Sequence, residues 1–445
     1  MTLLPQAEWW RPQPAAAIGS AWPSAPVAAS GTTGSRLAFR ALLAFTFILV
    51  LAPQSFVPAL QPFRIALVAA AVGITAQLVE RLAHGRPVTV MGREMVLVAV
   101  LLAWSVVTVP WSLWPGGSVS FLLDAYFKTV AIFWLLANTV DTVDRLRTLA
   151  WSLTAMAVPL ALTGLKNFMS GEFLGSNRIL GYEAGLTANP NDLALMLNLL
   201  LPLGVALLLS SRGALARSVL VVVVLLEAAA VIVTFSRAGF LSLATCIALY
   251  LWRLVRRGLT GWVLAAFVAG VAGMTLLPGS YMARLATITD IDSDPTGSAQ
   301  SRWEDTQAAV RYVMANPFVG AGIGMDTEAL NGVRGVTWTQ VHNICLEYAV
   351  DLGLPGLALF VLLFVSCVRR VRRIHRAPAG DPGGRLSCLA EGIEIALLSF
   401  GIGALFAPVA YLFYFYYLAG LAVAAGSIHR RLTAAGAGQP MACAS

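Results

Sequence analysis

The sequence predicts an all-α polytopic transmembrane helical bundle of about 12 spans, on three observations. The chain of 445 residues is 58% hydrophobic and only 12% charged, against roughly 25% charged in soluble domains. Its apolar residues come in long runs, not in the short alternating segments of a membrane barrel. A spanning helix needs about 20 mostly apolar residues to cross a hydrocarbon core of ~30 Å. Finally, arginine and lysine are unequally shared between alternate loops, as expected of helices inserted with their basic loops in the cytoplasm.

Residues 1–35 are rich in Pro, Ala, Ser and Gly and lack a compact apolar core behind a basic start. They read as a disordered cytoplasmic tail without a cleavable signal peptide. Spans are expected near 37–52, 63–79, 95–109, 119–140, 146–165, 192–210, 218–235, 239–252, 261–277, 354–368, 389–407 and 411–428. Residues 36–277 thus form a first transmembrane block that includes an external loop at 166–191. Residues 278–353 form a large, partly helical external loop, residues 354–430 the last three spans, and residues 431–445 a cytoplasmic tail.

With the N-terminus in the cytoplasm, 21 of the 30 Arg and Lys residues fall on the cytoplasmic side, eight fall outside and Lys128 lies within a span. The formal net charge of +8 is therefore assigned to topology and to anionic lipid heads, which removes the reason to invoke nucleic acid. The basic run from Arg369 to Arg385 reads as a stop-transfer anchor. The five cysteines have no metal-ligand spacing and fall in different compartments, so no disulfide framework is expected.

The two long external loops carry local signals. The first ends in Asn189-Pro190-Asn191-Asp192, where Asn191 or Asp192 is expected to cap the next helix. In the second, Ser301-Arg302-Trp303-Glu304 fits a capping box. The helix that follows places Trp303, Gln307, Val310 and Met314 on one stripe, stops before Asn316-Pro317 and is expected to lie as a cap on the outer membrane surface. Gly320-Ala-Gly-Ile-Gly324 has no strand before it and no phosphate motif after it, so it reads as a tight backbone passage, not a nucleotide loop.

Topology also selects the candidate chemistry. His84, His375 and His429 fall on the cytoplasmic side, leaving His342 as the external histidine. Its imidazole suits the deprotonation of a hydroxyl near neutral pH; the other reading is a polar cap on the helix that enters the membrane. In a helix, Asn343, Glu347 and Asp351 share a stripe while Glu347 lies well round from His342, which makes Glu347 a support for the local fold. Arg237 follows Thr234-Phe235-Ser236 in a tight turn, and Arg178 and Arg302 come from the two long loops. Their planar guanidinium groups suit the oxygens of a lipid diphosphate; interfacial snorkelling is the competing account. Asp124 and Lys128 can pair at i, i+4, and Glu227 needs a partner that spacing does not name. No cluster has metal-ligand spacing, so metal-independent chemistry is expected.

Taken together, Thr234-Phe-Ser-Arg-Ala-Gly239, Ser301-Arg302-Trp303 with Asn316-Pro-Phe-Val-Gly-Ala-Gly-Ile-Gly324, and His342-Asn-Ile-Cys-Leu-Glu347 with Leu352-Gly-Leu-Pro-Gly356 resemble the O-antigen ligase and O-antigen polymerase superfamily of bacterial integral membrane glycosyltransferases. The resemblance covers roughly residues 178–370. It implies transfer of a glycan from undecaprenyl diphosphate to an acceptor hydroxyl, such as a glycan or lipid A-core, on the periplasmic face of the inner membrane, without a cofactor, metal or nucleotide sugar. It further implies His342 as general base, with Arg237, Arg178 and Arg302 on the diphosphate and inversion at the anomeric carbon. Ligase, polymerase and protein O-glycosylation remain open within the class. From other classes, a transporter or flippase would place its polar groups deep in the bundle, and a structural subunit would not need His342 or Arg237.

Overall fold

The computed structural model describes residues 34–171, 173–174, 178–182, 187–258, 260–261, 297–376 and 384–437. The expected tail at the N-terminus up to residue 33, most of the expected span at 261–277 and residues 278–296 lie outside the described residues.

The chain is helical, as its apolar runs require. In order, the helices are α1 (Arg36–Leu51), α2 (Ile65–Ala83), α3 (Arg93–Val107), α4 (Pro115–Thr139), α5 (Val143–Met169), α6 (Pro190–Ser210), α7 (Ala214–Val233) and α8 (Arg237–Arg256). After them come α9 (Ser298–Ala315), α10 (Asp326–Arg334), α11 (Ile344–Arg376), α12 (Arg385–Ala404) and α13 (Phe413–Ala437). A two-residue antiparallel pair, β1 (Phe173–Leu174) with β2 (Arg178–Ile179), interrupts them between α5 and α6. Nine helices among the described residues are long and apolar enough to cross a membrane, and α1 and α13 stand where two further spans are expected.

Burial separates the centre of the bundle from its rim. The apolar stretches of α6 and α12 are 78% and 72% buried, whereas those of α2 and α7 are 11% and 22% buried. α12 packs against α6, α8 and α11, and α13 packs against α4 and α11. Close approach depends on small residues, as it commonly does between membrane helices. A Cβ on Gly239 would sit 2.5 Å from the Cβ of Ala194, which explains the glycine in the first turn of α8 at its contact with α6.

Two local expectations need correction. The cap of α6 is Asn189, whose side chain accepts from the Asn191 amide at 2.9 Å; neither Asn191 nor Asp192 caps. Pro190 takes the first helical position, where a missing N–H costs nothing, and this moves the cap one residue before it. α9 starts at Ser298 behind the left-handed Gly297, so Ser301 lies inside the helix and forms no capping box. The Ser-x-x-Glu spacing there coincides with an ordinary helical repeat. The stripe of Trp303, Gln307, Val310 and Met314 is exposed, and it is Ala308 and Ala309 on the other side that pack against Ala329, Leu330 and Val341. The stop before Asn316-Pro317 agrees with the helix end at Ala315.

Several ion pairs inside the bundle lie at the end away from His342. Glu94 accepts from Ser366 at 2.7 Å and pairs with Arg370. Glu394 pairs with Arg253 and with Arg372 at 2.7 Å, and Glu391 pairs with Arg253 and Arg257 at 3.2 and 2.6 Å. Arg370 and Arg372 are therefore partners of buried carboxylates, beyond the anchoring role expected from their basic run. Asp124 and Lys128 approach to 4.0 Å on an exposed face. Both Glu227 oxygens are buried without a hydrogen-bond partner among the described residues.

Candidate active site

The site is built on the start of α11, which is two helices joined at a break. Gly353 has a left-handed φ of 68°, and a Cβ there would lie 2.3 Å from the Phe318 carbonyl oxygen, so only glycine is accommodated. The backbone groups freed by the break find partners elsewhere. The Leu354 amide donates to the Pro317 carbonyl at 2.8 Å, and the Trp104 indole donates to the Leu352 carbonyl at 2.9 Å.

Against this break lies the glycine-rich passage, in the backbone role expected of it. Gly320, Gly322 and Gly324 all have positive φ, and the Ala321 and Gly322 amides donate to the Val350 and Asp351 carbonyls at 2.7 and 2.9 Å. The buried Asp351 carboxylate then accepts from the Gly324 and Met325 amides at 2.8 and 3.1 Å, at the start of α10. Asp326, the first residue of α10, repeats the device: its carboxylate accepts from the Val341 amide at 2.7 Å, directly before His342. Two successive carboxylate clamps thus tie the histidine to the first turns of a membrane helix.

At His342 itself, Nδ1 lies 2.9 Å from the Gln340 carbonyl. A carbonyl oxygen only accepts, so Nδ1 carries the proton and Nε2 is the basic nitrogen of the neutral ring. Burial holds the imidazole below its usual pKa, and the Arg302 guanidinium lowers it further; the Gln340 bond and the Asp305 charge oppose this. The ring is therefore neutral at pH 7. Asp305 is kept in place by Arg334 and by Thr339, whose hydroxyl donates to it at 3.0 Å, and Arg334 also pairs with Glu304 at 2.6 Å.

The remaining sequence candidates divide by position. Asn343 caps α11, its side-chain oxygen accepting from the Cys345 and Leu346 amides at 2.9 and 3.1 Å. Glu347 is buried and accepts from the Ala410 amide at 3.0 Å, tying α11 to the turn between α12 and α13. Arg302 is brought to His342 by α9. Arg237 is the first residue of α8, set by Phe235 at a left-handed φ of 54° and by Ser236, whose hydroxyl accepts from the Gly239 amide at 3.1 Å. It reaches the same end of the bundle as His342: Gly403 of α12 packs on Ser242 of α8, and a few residues later Ala410 meets Glu347. Arg178 lies on β2, paired with Leu174, and its side chain lies outside the described residues. Asn191 serves the start of α6 through its backbone.

Residues 222–361 match the family model described as O-antigen ligase. This segment is similar to the O-antigen ligase family. A search of curated proteins finds no match. The O-antigen ligase segment runs from within α7 into the membrane half of α11, so it contains Arg237, Arg302, His342, Asn343, Glu347 and both clamps, and excludes Arg178 and Asn191. The match covers 140 of the 445 residues and supports, at family level, an O-antigen ligase-type membrane glycosyltransferase.

Sequence reading missed three residues of this O-antigen ligase segment and its support. Asp326 and Asp305 were hidden among ordinary helical carboxylates, although an acid at the first position of a helix after a glycine run is a usable signal. Asn198 of α6 donates to the Gly239 carbonyl at 3.0 Å and to the Ala194 carbonyl at 2.8 Å, fixing the Arg237 turn from a helix 41 residues away.

Asp326 makes a separable test. Burial pushes its carboxyl up to about 6 from 3.8, so the folded state holds the extra proton. Its stabilising contribution is fully present below pH 3.8 and is lost as pH rises through about 6. Asp326→Ala strands the Val341 amide and should cost about 1–3 kcal/mol. Asp326→Asn keeps an acceptor and should lose less stability than wild type as pH rises through that window. Thermal unfolding across the window reads both effects, and an alanine variant with an unchanged midpoint would refute the clamp.

Proposed function

We propose that this protein transfers a glycan from undecaprenyl diphosphate to a saccharide hydroxyl at the periplasmic face of the bacterial inner membrane, with its termini in the cytoplasm. Acceptors of this kind are lipid A-core or a second lipid-linked repeat. The observation that carries the reading is the neutral His342, oriented by Gln340 and lying within the electrostatic reach of Arg302, in the segment matched to O-antigen ligase.

In the proposed reaction, the acceptor oxygen attacks the anomeric carbon from the side opposite the diphosphate. Its proton passes to His342 Nε2, the new glycosidic C–O bond forms and the old one breaks. The bonding pair leaves on the diphosphate oxygen, where Arg237, Arg302 and Arg178 neutralise it. Displacement from the opposite face inverts the anomeric centre. Because guanidinium groups take the phosphate charge, the reaction needs no divalent metal.

The test uses full-length protein in detergent or nanodiscs with a polyprenyl-diphosphate glycan, a saccharide acceptor and EDTA, without ATP. Transfer should persist, and Arg237→Lys should weaken donor affinity by roughly tenfold, since lysine cannot reproduce a two-pronged contact. Loss of transfer on chelation, or wild-type donor affinity in the lysine variant, would count against this reading. Loss of a surface glycan from a deletion strain would identify the acceptor.

A further inference from the structure

A second feature runs along α8 from Leu243 to Arg257, so that its charged end lies about 30 Å from Arg237. Between α6, α7 and α8 there is a cavity of about 320 Å³, at the lower end of the range for small-molecule sites, ~300–1,000 Å³. Its walls are carbon: Leu201 and Val205 from α6, Val224 and Ala228 from α7, and Leu243 and Cys246 from α8. It opens sideways past Leu209, Leu225 and Ile247, which are 44%, 63% and 46% exposed on the outside of the bundle. In a membrane protein that side faces lipid.

A carbon-lined groove on a lipid-facing surface is by itself unremarked solvent for acyl chains, but this one ends in charge. Arg253, Arg257 and Glu391 form its end wall. The cluster they belong to sets three guanidinium groups, on Arg253, Arg257 and Arg372, against two carboxylates, on Glu391 and Glu394, with His375 3.2 Å from Glu394. Among the described residues the cluster therefore carries one positive charge in excess with His375 neutral. Arg253 and Glu391 are buried, while the Arg257 side chain is 49% exposed. Beside it, Arg256 stacks on the exposed Trp252 ring at 5.2 Å, a pair suited to the headgroup level of a bilayer.

We propose that this groove is a binding site for an anionic glycerophospholipid, with one acyl chain along α7 and α8 and the phosphate at Arg257. Excess positive charge at the end wall supplies the headgroup preference, and the apolar walls supply the chain site. The site is independent of the transfer reaction and sits at the end that the arginine distribution assigns to the cytoplasm.

Native mass spectrometry of the full-length protein, released from mixed phosphatidylglycerol and phosphatidylcholine, tests this directly. Wild type should retain phosphatidylglycerol in preference by roughly fivefold, the scale of one basic contact at a membrane surface. Arg257→Gln, at a half-exposed helix end, should bring the ratio near one; Arg256→Gln should leave it unchanged. Ala228→Trp should reduce retention of both lipids. Phosphatidylglycerol should raise the unfolding temperature in detergent, and inorganic phosphate should not. Equal retention of the two lipids by wild type, equal losses in the Arg256 and Arg257 variants, or equal stabilisation by inorganic phosphate would each overturn the proposal. If the tryptophan variant does not fold, the Arg256 and Arg257 comparison decides alone.

Discussion

His342→Ala should reduce glycan transfer by about 10²- to 10⁴-fold, the usual contribution of a positioned general base, with the chain still folded. The ring is only partly buried and makes one hydrogen bond, to a neighbouring carbonyl, so its loss removes little packing. A pH profile separates a base from a cap. With burial and then Arg302 holding the imidazole below its usual value, wild-type kcat/KM should fall on the acid side with a midpoint below the ordinary histidine value of about 6.5. Arg302→Gln should raise that midpoint, because it removes a cation that opposes protonation, and should weaken donor binding as well. Asp305→Asn should lower it, because Asp305 favours the protonated ring. A merely structural histidine would give no acid limb that moves with Arg302. Wild-type turnover in His342→Ala would eliminate the mechanism outright.

What could be read in the residues was whatever depends on local chain chemistry. Long apolar runs specify helices because a lipid core leaves backbone polar groups no other partners. Glycines at 320, 322 and 324 specify a tight passage because each adopts a φ that side chains disfavour. The stripe Asn343, Glu347 and Asp351 also follows from periodicity, and each of its members does accept a backbone amide. What could not be read was pairing between distant elements. Glu94 and Arg370 are 276 residues apart, and Arg253 and Glu394 are 141 apart. No spacing rule links such residues, so the arginines looked like topology alone. Helix starts failed for a different reason. A Ser-x-x-Glu spacing occurs inside helices as well as at their ends, and at α9 a left-handed glycine sets the start three residues before Ser301. The clamp from Asp326 to Val341 joins two segments of one loop across 15 residues, beyond the reach of helical periodicity.

The largest loss of stability is expected from Asp351→Ala. Its carboxylate is fully buried and accepts two amides, from Gly324 and Met325, where the passage turns into α10. Removing it leaves both donors unsatisfied at about 1–3 kcal/mol each, at the start of α10. Asp351→Asn should lose less in total, because one acceptor survives, although its NH₂ must then face an N–H. The consequence for chemistry is indirect. Once Gly324 and Met325 are released, Asp326 loses its fixed place, and with it the bond to Val341 that sets His342. Asp351→Ala should therefore show both a lower unfolding temperature and faster protease cleavage between α9 and α11, and transfer should fall in parallel. Restoring transfer by raising donor concentration would contradict this, since a displaced base lowers kcat and donor saturation cannot recover it. An alanine variant with the wild-type unfolding temperature would mean that the membrane helix does not hold the loop, and that the imidazole is positioned by something other than these two carboxylates.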